Sequence, residues 1–160
     1  IRVYGTFVFG YDHDTPASFA EAVEFATRHA FFLTGFNHLT PFPGTALYQR
    51  LEQEKRLIYD KWWLDERYHF GDVAFKPKSM TTRELEDSIH NIRKKFYSFP
   101  AMIKRMEFKA NCRNIFNLAL FYSLNYSLRK EIYEKRGIPL GDDKISVDKL
   151  KVKTPVLTVH

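Results

Sequence analysis

The stretch Gly5-Thr6-Phe7-Val8-Phe9-Gly10-Tyr11-Asp12-His13-Asp14-Thr15-Pro16 constrains the fold more than any other part of the chain. Phe7, Val8 and Phe9 form a continuous run of aromatic and β-branched residues, the composition of a strand covered on both faces. Gly10 ends that run, either as a position where a ligand comes close to the backbone or as a strand-end turn. Asp12, His13 and Asp14 follow at the strand's carboxyl end. Adjacent residues there point in different directions, so a metal or acid–base cluster is a weaker reading than helix-start capping with anionic complementarity. Thr15 suits an N-cap, and Pro16 suits the first helical position, where its missing N–H costs nothing. A strand, a polar turn and a helix make the unit on which α/β proteins build their sites.

The unit repeats. Residues 18–30 read as an amphipathic helix with Phe19, Val23, Ala26 and Ala30 on a core-facing stripe. A second strand over 31–39 ends in Asn37, His38 and Thr40, and Pro41-Phe42-Pro43-Gly44-Thr45 follows as a rigid turn. Thr45 can cap a helix over 46–55 with Leu47 and Leu51 inward. Strand–helix–strand–helix at this spacing implies a right-handed parallel crossover. Two strands cannot cover both faces of a parallel sheet, and the chain starts at Ile1 without Met, so the expectation is a piece of something longer.

The second part reads as helical. Trp62 and Trp63 are packing anchors, and Val73-Ala74-Phe75 is a short strand stopped by Pro77. Thr81 and Glu84 have capping-box spacing and open a helix over 82–98 with Leu85, Ile89, Ile92 and Phe96 on one side. A short helical turn around Met102, Ile103 and Met106 follows Pro100, then a long helix over 113–136 closed by Gly137 and Pro139. Residues 1–60 carry five Lys/Arg and seven Asp/Glu, net −2, which leaves +8 of the chain's total of +6 to residues 61–160. The expected organisation is β/α units over 1–60, a mostly helical extension over 61–140 and a flexible basic tail over 141–160. The helices should pack on each other and on the β/α part, with Lys and Arg outward.

The opening strand motif, residues 7–15, and Leu39-Thr40-Pro41-Phe42-Pro43-Gly44-Thr45 together resemble the last two strand motifs of the radical S-adenosylmethionine enzyme barrel. The likeness is greatest to the branch with an N-terminal cobalamin-binding domain, which includes the magnesium-protoporphyrin IX monomethyl ester oxidative cyclase type. In that family an apolar strand ending in Gly, with an acidic residue shortly after, is strand five; here the acidic residue is Asp14, where Glu is usual. A Pro-x-Pro-Gly-Thr turn follows strand six. The resemblance covers residues 4–58 well and extends loosely to Ser98. It implies an α/β fold, the last β/α units of a partial TIM-like barrel followed by an α-helical extension. It also implies a [4Fe–4S] cluster that cleaves S-adenosylmethionine to a 5′-deoxyadenosyl radical, and cobalamin in the complete protein. By analogy Val8, Gly10, His38 and Leu39 lie on the adenine side of the S-adenosylmethionine site. The cluster cysteines belong to the first strand of such a barrel, so this part alone is expected to bind no cofactor and to be inactive. Its partners would be the missing N-terminal half of the same polypeptide and a small-molecule substrate, such as a tetrapyrrole or a lipid, to be methylated or cyclised.

Other readings stay open beside this one. His38 before a turn is a satisfied polar cap or a functional group. Cys112 is the chain's single cysteine, which excludes an intrachain disulfide and a Cys-rich metal site and suggests inert packing in a cytoplasmic protein. The apolar segment 115–124 suits a buried or partner-facing helix better than an interfacial membrane helix, and is too short to span a bilayer. Arg93-Lys94-Lys95 before Phe96 and Tyr97 reads as a solvated face, with a basic module docking on nucleic acid or an acidic protein as the alternative function.

Overall fold

In the computed structural model, which describes residues 1–139, Phe7, Phe9 and Phe36 bring two strands together under helices. The flexible tail expected over 141–160 lies outside the described residues. Strand β1 (Tyr4–Phe9) is followed by helix α1 (Pro16–Arg28), strand β2 (Leu33–His38), helices α2 (Ala46–Gln53), α3 (Thr82–Phe96), α4 (Phe99–Lys104) and α5 (Ile115–Glu134), with a 3-10 turn at Trp62–Leu64. β1 and β2 pair in parallel, Phe7 opposite Phe36 and Phe9 opposite His38. Among the described residues the sheet has these two strands, and the chain is mixed α/β. Val73-Ala74-Phe75, expected as a strand, contributes only a single antiparallel bridge, Leu57 to Phe75. Pro77 and the turn ahead of Thr81 leave that segment no room to extend a ladder.

Alternation along β1 separates two unlike faces. Phe7 and Phe9 face the helices, Phe9 stacking on Phe19 of α1 at 4.5 Å between ring centroids. Tyr4, Thr6 and Val8 point the other way and are exposed. One core joins this sheet to α1, α2 and α3 through Phe19, Phe36, Leu51, Leu85, Ile89 and Phe96. The stripe expected on α3 is all buried, and its capping box forms: Glu84 N–H donates to Thr81 Oγ1 at 3.1 Å and Thr81 N–H to Glu84 Oε2 at 2.7 Å.

Two helix ends depart from the sequence pattern. Ala30 does not lie on the α1 stripe; it adopts φ +49° just past the helix. Phe31 N–H bonds to Ala26 O and Ala30 N–H to Thr27 O, the double closure that normally places Gly at this position. Lys55 repeats it after α2, at φ +55° with Arg56 N–H on Leu51 O and Lys55 N–H on Glu52 O. A non-Gly residue in this region carries strain, since its Cβ crowds the carbonyl.

Nor do all the cations point outward. Arg105 is fully buried and donates to the carbonyls of Phe31, Phe32, Phe96 and Ala101 and to Asn125 Oδ1, at 2.8 to 3.3 Å. Its guanidinium lies 3.7 Å from the centre of the Phe96 ring. Burial pushes its pKa down to about 10, still charged at neutral pH. Phe96 O is the last helical carbonyl of α3, and the residue four positions on is Pro100, which has no N–H to offer. Arg105 supplies the missing donor. Conversely, α5 is less buried than expected: only Phe121 and Asn125 are buried, while Ile115 and Phe116 are 80% and 71% exposed. Its apolar residues encircle the helix, and neighbours on one flank can cover only one side. Trp63 is likewise half-exposed, against Tyr48, while Trp62 is buried and donates Nε1–H to Pro41 O at 2.8 Å.

Candidate functional site

The carboxyl ends of β1 and β2 set Gly10 and Leu39 side by side, but they place Val8 and His38 on opposite faces of the sheet, since Val8 pairs with Asn37 and His38 with the helix-facing Phe9. Leu39 N–H bonds to Phe9 O at 2.7 Å, extending the ladder past His38 and setting Gly10 beside Leu39. Val8 is 39% exposed, on the uncovered face of the sheet. Gly10 sits at φ +105°, a conformation that favours glycine, and a side chain on it would meet Leu85 Cδ2 and Phe75 Cζ at 3.0 Å. The space of its missing side chain is therefore filled by the protein's own core, so a bulky substituent there would strike Leu85 and Phe75. A ligand could meet Gly10 only through its backbone.

The acidic turn goes three ways. Asp14 Oδ2 accepts the N–H groups of Gly10 and Tyr11 at 2.8 and 2.9 Å, clamping the chain as it leaves β1. His13 is exposed. Asp12 faces Arg56 at 3.0 Å and Lys78 at 3.2 Å, with Arg50 at 3.8 Å. Burial alone would raise the Asp12 carboxyl, but the bonds from Lys78 and Arg56 outweigh it and hold the pKa below the usual range. No group of three His, Cys, Asp or Glu among the described residues could hold a metal ion. Cys112 packs with Phe32, Met102 and Phe121, and burial pushes its thiol up.

β2's outer margin is occupied by side chains that the sequence reading left on the surface. Tyr97 Oη donates to Thr34 O at 2.7 Å and accepts Thr34 N–H at 3.0 Å. Arg93 Nε donates to Phe36 O at 2.8 Å and Nη2 to Asn37 Oδ1 at 3.1 Å. A groove of about 410 Å³ runs beside this margin, walled by Tyr4, Gly35, Phe70, Arg93, Leu128 and Ile132. A second hollow of about 230 Å³ adjoins the strand end, with His38, Thr40, Trp62, Tyr68 and Arg93 in its wall. His38 Nδ1 donates to Leu39 O at 3.0 Å, which leaves Nε2 as the acceptor of a neutral ring. Burial lowers the His38 pKa, keeping that ring neutral near pH 7. No helix among the described residues is long and apolar enough to cross a membrane.

Residues 45–118 match a family described as a domain of unknown function, DUF4070, a domain found in radical S-adenosylmethionine/cobalamin enzymes. The chain is 30% identical over 109 residues to a bacteriochlorophyllide d C-12(1)-methyltransferase of Chlorobaculum tepidum, a match that takes in 68% of this chain and 23% of the relative. It is also 30% identical over 97 residues to an anaerobic magnesium-protoporphyrin IX monomethyl ester cyclase of Cereibacter sphaeroides, taking in 60% of this chain and 15% of that protein. No solved structure matches. With this domain and these two relatives, the chain belongs to the radical S-adenosylmethionine enzyme family.

Proposed function

We propose that the chain forms the last two β/α units of a partial β/α barrel together with its helical extension, in an enzyme that methylates or cyclises a tetrapyrrole. The observation that carries this is the pairing of the two strand ends, Phe9 against His38 and Leu39, beneath a sheet face left bare at Val8. The carboxyl ends of parallel strands are where barrels hold their ligands. Val8, the backbone of Gly10 and Leu39 would hold the adenine of S-adenosylmethionine, with His38 on the other face. The remaining strands would come from another part of the same polypeptide and add to β1, whose outward N–H and C=O groups have no partner among the described residues.

The iron–sulfur cluster does not fit the residues described here, which offer one buried thiol, so its ligands are assigned to the rest of the polypeptide. When bound, cluster and S-adenosylmethionine would supply the radical chemistry. Nothing in the described residues points to a cobalamin site. Both relatives are named for tetrapyrroles, a bacteriochlorophyllide and a magnesium-protoporphyrin ester, which is why a tetrapyrrole is the proposed substrate class.

The test has two arms. The complete polypeptide should carry a Cys-x-x-x-Cys-x-x-Cys segment about 120–150 residues ahead of Ile1, the length of roughly four β/α units. In that polypeptide, reconstituted anaerobically with iron and sulfide, Val8→Asp should weaken S-adenosylmethionine binding at least about tenfold, by burying a carboxylate against the adenine, without lowering the melting temperature. Lack of the cysteine segment, or unchanged binding, refutes the assignment.

A further inference from the structure

Arg93 and Arg105 are both cations withdrawn from solvent, and they are satisfied very differently. Arg105 spends its donors on five oxygens and has nothing left to give. Arg93 makes two bonds, both to neutral oxygens, Phe36 O and Asn37 Oδ1. Its Nη1 has no partner among the described residues, and no described carboxylate forms an ion pair with it. Burial lowers its pKa, as it does that of Arg105, so what separates the two is the count of partners. The nearby acids are otherwise engaged: Glu131, on the groove wall, pairs with Lys135, and Glu86 accepts Val73 N–H at 2.8 Å. The other cations at this end, Lys135 and Arg136, pair with Glu131 and Asp87.

Around this cation the walls are mainly aromatic and aliphatic, Tyr4, Phe70, Leu128 and Ile132 in the groove and Trp62 and Tyr68 in the adjoining hollow, with Asn37 and Glu131 as polar groups of the groove and His38 and Thr40 of the hollow. A half-buried, underused guanidinium in a mainly apolar groove matches a ligand that is largely flat and apolar and carries one carboxylate. We infer that Arg93, held by Phe36 O and Asn37, binds the free carboxylate of the tetrapyrrole substrate in the groove between β2 and α5. This rests on the reading given under Proposed function and adds to it the group that recognises the substrate. A monomethyl ester of a two-acid porphyrin, as in the name of one relative, keeps one such carboxylate.

Protoporphyrin IX and its dimethyl ester differ only in whether their carboxylates are free, and both can be titrated by absorbance and fluorescence. The wild-type chain should bind the diacid about tenfold or more tightly than the diester, the value of a hydrogen bond to a charged group. Arg93→Gln should abolish that preference and leave diester binding unchanged. Because Arg93 also closes the margin of β2, a second variant separates recognition from folding. Asn37→Asp places a carboxylate beside the guanidinium from an exposed position. It should keep or raise the melting temperature while lowering diacid affinity to that of the diester. Equal binding of diacid and diester by the wild type, binding of neither, or a preference that survives both variants overturns the inference. S-adenosylmethionine carries the other carboxylate that could occupy the site. An excess of it should leave the diacid titration unchanged, and competition would assign Arg93 to that cofactor and refute the substrate role. Cluster reconstitution of the complete polypeptide reports on the radical reading separately: a cluster without any diacid preference sinks the Arg93 assignment alone.

Discussion

Replacing Arg105 with Leu removes the charge while keeping much of the volume, and its cost can be worked from the bonds it leaves behind. Two of the five acceptors keep another donor: Ala101 O still receives the backbone N–H of residue 105 at 3.2 Å, and Phe32 O still receives Asn125 Nδ2 at 3.2 Å. Phe31 O, Phe96 O and Asn125 Oδ1 keep none. A buried acceptor stripped of its donor costs ~1–3 kcal/mol. Some relief comes from water reaching Phe31 and from no longer burying a charge. The net expectation is a loss of ~3–5 kcal/mol, a large share of the ~5–15 kcal/mol that holds a domain together. Urea unfolding followed by circular dichroism measures it. Arg105→Lys, with its charge kept but its fork lost, should fall between wild type and Arg105→Leu. A Leu variant within ~1 kcal/mol of wild type would refute the reasoning, because the carbonyls would then be finding other partners.

Ala30→Gly and Lys55→Gly should each stabilise the chain by ~0.5–1 kcal/mol by relieving a Cβ in the left-handed region, and unchanged urea midpoints would show that the strain is absent. Tyr68, buried and donating to Asp72 O at 2.9 Å, has its phenol pushed up to about 12 by burial. An acid whose pKa is higher folded than unfolded keeps its full contribution below ~10, and loses it as pH rises towards 12 because the unfolded chain ionises first. That should remove ~2–3 kcal/mol over the interval, and Tyr68→Phe should flatten the fall in urea midpoint between pH 9 and 12.

The periodic parts of this fold were legible in the sequence because period follows from geometry. The run at Phe7–Phe9 and the spacing of Leu85, Ile89, Ile92 and Phe96 led to a strand and a buried helix face. What escaped was pairing across long separations. Arg93, 57 residues from Phe36, and Arg105, 74 from Phe31, stand in stretches that read as ordinary basic surface. Nothing local distinguishes a guanidinium that will find carbonyls from one that will find water. Pro100 was the one available signal: it ends α3 and strips Phe96 O of its fourth-neighbour donor, a gap that some side chain must fill. Residues 115–124 misled in the other direction, since an apolar helix gives no sign of how many neighbours will be present to cover it. For the candidate site, the strand ends were legible as a place, and Asp14 as an acid near Gly10. That Leu85 and Phe75 close over Gly10 needed the fold.

The two margins of the sheet have different fates. Tyr97, Arg93 and Arg105 occupy β2's outer groups, while those of β1 stay open among the described residues. In the vocabulary of polymer chemistry such a sheet is monofunctional. A unit with two reactive ends grows without limit, whereas a unit with one end couples once and stops. Copies of this chain that met edge to edge would therefore terminate at pairs instead of propagating into fibres. The same asymmetry makes the helical extension a chain terminator for any barrel built onto β1, whose strands can be added from one direction only.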